Sequence, residues 1–147
     1  MAQFFTGRHE VPVDDKGRIF VPAEFRKKLP LEADDTFVVM RDFDGCLEAY
    51  PQHIWEEKAA QLSQLRNSNR KVRDYLRWKL SYSAEIKMDR QGRVGIPRKI
   101  LAKAGITDQM VIIGSLDKLE FWSPENSEEL PSMEDLAGTL TEFELDL

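Results

Sequence analysis

Thiol and imidazole are almost missing from this chain. Cys46 is the single cysteine and His9 and His53 are the two histidines, so no intrachain disulfide can form and no Cys/His cluster has metal-ligand spacing. A zinc finger is excluded. Long apolar runs are missing as well: no stretch approaches the roughly 18 uncharged apolar residues of a membrane span, and Met1 to Phe5 carry neither a basic n-region nor the apolar core of a signal peptide. The expected location is the cytosol. Positive charge is in deficit, with 21 Lys and Arg against 26 Asp and Glu and a net charge of −5, which taken alone argues against a polyanionic partner. The deficit is local. Glu125 to Leu147 holds eight acids and no base, so Met1 to Pro124 carries +3 and the chain is a mildly basic body with an acidic tail.

What is present is a repeat. Val13-Asp14-Asp15-Lys16-Gly17-Arg18-Ile19-Phe20-Val21-Pro22 aligns with Met88-Asp89-Arg90-Gln91-Gly92-Arg93-Val94-Gly95-Ile96-Pro97 at an offset of 75, with Asp, Gly, Arg and Pro identical. Phe37-Val38-Val39-Met40 then matches Met110-Val111-Ile112-Ile113, and Leu47-Glu48-Ala49-Tyr50 matches Leu119-Glu120-Phe121-Trp122, as the offset drifts to 73 and 72 through small loop deletions.

Within each repeat the apolar residues alternate, Val11 and Val13 before the glycine and Ile19 and Val21 after it, with Ile86, Met88, Val94 and Ile96 in the equivalent places. That period of two predicts a hairpin with one face in the core. Gly17 and Gly92 supply the positive φ a tight turn needs. Pro22 and Pro97 suit the first turn of short helices over Ala23 to Leu29 and Arg98 to Ala104, the second stopped by Gly105. Two further strands complete each unit, giving β-β-α-β-β twice. One such unit has too little apolar surface to fold alone, whereas two can interleave their hairpins into a shared barrel. The expected fold is therefore mostly β (β+α), with the first repeat over 5–51, a helical insert over 52–83, the second repeat over 84–124 and a weakly ordered acidic tail over 125–147.

In the insert, Ile54, Lys58, Leu62 and Leu65 share a face, Asn67-Ser68-Asn69 breaks the pattern, and Val72, Leu76 and Leu80 form a second stripe, which predicts a helical hairpin. Its second half is the densest basic run: Arg66, Arg70, Lys71, Arg73, Arg77 and Lys79. A solvated helix face is the leading reading of that run, ahead of phosphate tracking or pairing with acids of a neighbouring subunit. Trp55, Tyr75, Trp78 and Tyr82 read as core or subunit-interface anchors. Cys46 lies in a strand pattern and has no orienting third group beyond His53, so a buried, inert thiol is expected.

Phe5-x-Gly7, Asp14-x-Lys16-Gly17-Arg18 with Pro22 and Phe25-Arg26, then Ser83-Ala84-Glu85, Asp89-x-x-Gly92-Arg93, Gly114 and Trp122 resemble the MraZ family, whose two halves each carry an Asp-x-x-x-Arg motif. The resemblance covers 5–124 and implies an AbrB-like swapped-hairpin barrel, ring-like homo-oligomers, and regulation of transcription through short direct repeats upstream of the division and cell-wall gene cluster. It implies double-stranded DNA as the partner and a nucleoid-associated place in the cytoplasm. The DNA-binding candidates are Lys16 and Arg18 in the first hairpin and Arg90 and Arg93 in the second, with Asp14, Gly17, Asp89 and Gly92 shaping the turns. Each Asp is placed to hold its Arg, leaving a planar fork fit for phosphate or guanine. The competing reading makes both Asp-Arg pairs turn braces in an oligomeric protein-interaction module. No carboxylate-His or Ser-His set points to an enzyme, and no metal, cofactor or small-molecule substrate is indicated.

Overall fold

The two hairpins are tight at their tips, yet their arms build no ladder with each other. In the computed structural model, which describes residues 4–65 and 69–147, β1 (Arg8–Pro12) and β2 (Arg18–Phe20) leave the first tip, and β5 (Ser83–Lys87) and β6 (Arg93–Gly95) leave the second. β1 pairs antiparallel with β7 (Gln109–Ser115) of the second repeat, β5 pairs with β3 (Thr36–Arg41) of the first, and β2 pairs with β6. Each hairpin thus completes the other repeat, the interleaving anticipated from the size of one unit. With β4 (Leu47–Pro51) and β8 (Lys118–Trp122) the large sheet runs β1-β7-β8-β4-β3-β5, an order that maps onto itself when the repeats are exchanged. The β2–β6 ribbon lies against the edge strands β1 and β5.

The alternation read from the sequence decides which side is core. Ile19 and Val94 of the ribbon, with Val21 and Ile96 just beyond it, join Phe37, Val39, Leu47, Ala49, Met110, Ile112, Leu119 and Phe121 of the sheet in one cluster of buried side chains. Phe25 of α1 (Ala23–Arg26) and Ile100 and Leu101 of α4 (Arg98–Lys103) add to it. Phe25 meets Phe5 edge-on, ring centroids 5.9 Å apart, while Phe5 itself bridges to Leu116.

Both helices start at Ala23 and Arg98 as expected, although Pro22 and Pro97 occupy the N-cap position and not the first turn. α1 is also shorter than the predicted Ala23 to Leu29. Beyond Arg26 the chain tightens into i to i+3 bonds, from Lys28 N–H to Phe25 O and Leu29 N–H to Arg26 O, as Pro30 disfavours helical geometry in the residue before it.

α2 (Gln52–Leu65) rests on β3, β4 and the 3-10 turn Leu31–Ala33, and α3 (Arg70–Leu80) rests on β3. Asn69 caps α3, its side chain accepting from Lys71 N–H at 2.7 Å. Arg66, Asn67 and Ser68, which the sequence reading placed in the basic run and the helix break, lie outside the described residues. α3 corrects the reading of that basic run as a solvated face at one position: Lys79 is buried, pairs with Glu48 and donates to Arg41 O at 2.8 Å. A lone buried ammonium is costly, and these two partners offset that cost. Trp78 and Tyr75 stack on Phe43, and the Arg41 guanidinium sits 4.5 Å from the Trp78 ring centroid.

The acidic segment differs from the weakly ordered tail expected of it. α5 (Pro124–Ser127) packs on β7, with Arg8 donating to Glu128 at 2.8 Å. α6 (Met133–Glu142) is capped by Ser132, which accepts from Asp135 N–H at 3.1 Å, and carries Glu134 and Asp135 in its first turn. A good N-cap and acids beside the positive end of the helix dipole outweigh the low apolar content. Among the described residues no helix is long and apolar enough to cross a membrane.

Candidate nucleic-acid interface

Each tip is organised by one carboxylate. Asp14 Oδ1 accepts from the backbone N–H of Lys16 at 2.9 Å and of Arg18 at 2.8 Å, while Oδ2 accepts from Arg18 Nε at 2.7 Å. The second repeat duplicates this: Asp89 Oδ1 accepts from Gln91 at 2.9 Å and Arg93 at 3.0 Å, and Oδ2 from Arg93 Nε at 2.9 Å. Donation from the Arg18 backbone, reinforced by its guanidinium, holds the Asp14 carboxyl at about 2, and the same contacts from Arg93 hold Asp89 below the usual carboxylate range. Backbone bonds from Asp14 N–H to Arg18 O and from Gly17 N–H to Asp14 O, both 3.0 Å, close the turn, with Gly17 at φ +79° and Gly92 at φ +83°.

The consequence for the arginines is geometric. Nε is committed to the aspartate, so each guanidinium is fixed in plane, and the terminal Nη atoms of Arg18 and Arg93 form no hydrogen bond among the described residues. A fork held in this way loses less entropy on meeting a planar acceptor pair. Lys16 and Arg90 are exposed beside them at the tips. The structure therefore brings the four candidate cations onto two tips joined by the β2–β6 ribbon. In that ribbon Arg18 stands opposite Gly95, Ile19 opposite Val94 and Phe20 opposite Arg93. Because Ile19 and Val94 point inward, Arg18, Phe20 and Arg93 share the outer face.

Sequence reasoning missed three contributors. Arg98 of α4 donates to Asp14 O and to Thr107 O, gripping the first tip from the other repeat. Arg26 lies against Gly92, its Nη1 2.7 Å from where a Cβ would stand, in a concavity shared with Asp35, Asp89 and Arg90. Its counterpart beside Gly17 is Leu101, so the second tip gains a cation where the first gains a methyl. Phe20 is exposed on the ribbon, a placement its alternation with Ile19 and Val21 already implied.

Elsewhere, Asp42, Cys46 and Glu120 bring ligand-type atoms within 4.8 Å of one another. Burial first, then the Glu120 and Asp42 carboxylates, push the Cys46 thiol well above its usual range, and it donates to Asp42 at 3.6 Å. A protonated, buried thiol is a poor nucleophile.

The family model described as MraZ protein, antitoxin-like, matches residues 4–78 and 80–135. The chain is 38% identical over 136 residues to the transcriptional regulator MraZ of Roseiflexus castenholzii, with 92% of each chain covered. It is 35% identical over 144 residues to that of Lactiplantibacillus plantarum, covering 95% of this chain and 99% of the relative. The Ligilactobacillus salivarius protein of the same name is 32% identical over 146 residues. Two Asp-fixed arginine tips on an interleaved barrel, together with matches that run through both repeats and the insert, place the chain in the MraZ family.

Proposed function

We propose that this chain is a DNA-binding transcriptional regulator whose β2–β6 ribbon and flanking tips meet the major groove. The observation that carries the reading is the pair Arg18 and Arg93, each fixed through Nε and both on one outer face of a two-stranded ribbon. The major groove admits such a ribbon, and arginine forks match the O6 and N7 acceptors of guanine. The relatives' shared name, transcriptional regulator, supports the same reading. Each tip offers few cations, so affinity is built by multiplication: a ring-like homo-oligomer engaging short direct repeats, as upstream of the division and cell-wall gene cluster, gains through effective concentration. The protein then acts on the nucleoid in the cytoplasm.

The test is a titration of a duplex carrying such repeats at near-physiological salt. Arg18→Ala should weaken binding by about 1 to 3 kcal/mol per engaged site with melting lowered at most slightly, and Arg93→Ala by less. A slightly lower melting temperature with full affinity would instead make Arg18 a turn brace. Wild-type affinity in Arg18→Ala alongside loss in an Arg70/Arg73 variant would move the interface to α3.

A further inference from the structure

The ribbon's outer face is not symmetric, although the repeats around it are. At the position where the second repeat has Gly95, the first has Phe20, and the ring is 56% exposed. Nothing in the core needs it, since Ile19 and Val21 on either side supply the inward face. Its neighbours are the two fixed arginines. Phe20 is the in-register partner of Arg93, whose guanidinium carbon lies 6.0 Å from the ring centroid. Arg18 is two residues back on the same strand, its stem lying across Gly95, with Cγ 3.7 Å from where a Cβ would stand. The ring thus stands exposed between two cations, at the centre of the face assigned to DNA.

We infer that Phe20 is a specificity-determining residue, whose ring packs on the C5-methyl group of a thymine next to the bases that Arg18 and Arg93 read. The inference rests on the DNA-binding reading above. Cross-strand neighbours stand about 5 Å apart and residues two apart on a strand about 6.7 Å, while base pairs rise about 3.4 Å. Phe20 therefore reaches an edge within about two base-pair steps of both arginine positions. Of the groups on the major-groove floor, the thymine methyl is the apolar one, and a phenyl ring is among the side chains suited to it. A second copy of the chain fits this face poorly, because like faces would set Arg18, Arg93, Lys16 and Arg90 against one another. Since Gly95 offers no equivalent ring, the contact also gives the ribbon a direction on the duplex.

The experiment selects duplexes from a random library with wild type, Phe20→Ala and Phe20→Leu, then replaces single thymines by deoxyuridine in the wild-type consensus. Phe20 lies outside the core, so the variants should melt with the wild type and keep its mass. Wild type should demand thymine at one position within two base pairs of its guanines, and Phe20→Ala should relax that position alone. Loss of the methyl should weaken wild type about three- to tenfold and Phe20→Ala less than twofold, with Phe20→Leu between them. An unchanged consensus in Phe20→Ala, or equal sensitivity of both proteins to deoxyuridine, overturns the inference and leaves the ring as a prop for Arg93. A smaller particle mass for Phe20→Ala overturns it in favour of a subunit contact. Failure of wild type to enrich any sequence removes the DNA-binding reading and this inference with it.

Discussion

Lys79 of the inserted helix and Glu48 of the central strand β4 form an ion pair with side-chain exposures of only 7% and 5%. Glu48 also accepts from Lys118 at 2.8 Å, and Tyr50 donates to it at 3.4 Å. The helix is therefore attached to the barrel through a buried charge network. Removing one member strands the others in a low dielectric, so Lys79→Ala should lower the unfolding free energy by about 3 kcal/mol. Arg77→Ala, which breaks an exposed pair with Asp74, should cost less than about 0.5 kcal/mol. Urea titrations of both variants check this, and equal costs would contradict a burial-driven anchor.

The two turn glycines should not tolerate alanine equally. Both have positive φ, for which a side chain costs about 1 to 2 kcal/mol. At Gly17 the new Cβ would also stand 2.4 Å from the Ile96 carbonyl oxygen, a backbone atom just past β6, whereas at Gly92 the nearest atom is Arg26 Nη1, the far end of a flexible side chain. Gly17→Ala should therefore lose at least about 3 kcal/mol and Gly92→Ala about 1 to 2 kcal/mol. Chemical denaturation of the pair decides it; a Gly92 cost equal to or above the Gly17 cost would show that Arg26 cannot move.

Acid should loosen the tips in a defined window. Asp14, held at about 2 by donation from the Arg18 backbone and guanidinium, is ionised in the folded state below the unfolded carboxylate value of about 3.9. Its stabilising contribution is therefore complete above about pH 4 and falls away as pH drops toward 2. Wild type and Asp14→Asn should differ in melting temperature at neutral pH and converge at the acid end. The Asp14 carboxyl carbon should titrate by NMR near 2; a midpoint at the usual carboxylate value would refute the tip geometry.

Truncation separates two parts of the acidic segment. Ser127 is buried and Glu128 pairs with Arg8, so ending the chain at Pro124 should destabilise β1, while ending it at Leu130 should leave melting unchanged. Ending the chain at Leu130 still removes Glu134, Asp135, Glu142, Glu144 and Asp146. It should tighten DNA binding modestly, chiefly at low salt, where charges are least screened. Loss of assembled mass in light scattering would instead assign α6 to a subunit contact.

Alternation and glycine placement made the tips legible in the sequence, since Arg18 follows Asp14 by four residues with Gly17 between them, the spacing of a tight turn. Strand pairing was less so. A period of two says which face of β1 is buried but not that its partner is β7, and the interleaving was inferred from the small apolar surface of one unit. Arg26 and Arg98 were out of reach because each acts on the opposite repeat, across about 65 to 85 residues of chain. Lys79 was misread because helical spacing alone does not show that Glu48 waits beneath it.

The crossing of the hairpins has a consequence for inheritance. In a symmetric homodimer every substitution is made twice, and the assembly dissolves on dilution. Here both halves are translated as one molecule, so their association is independent of concentration, and each is free to change alone. Phe20 at the place of Gly95, Arg26 at that of Leu101 and Arg90 at that of Asp15 record that freedom: one covalent chain carries two tips alike in frame and different in surface.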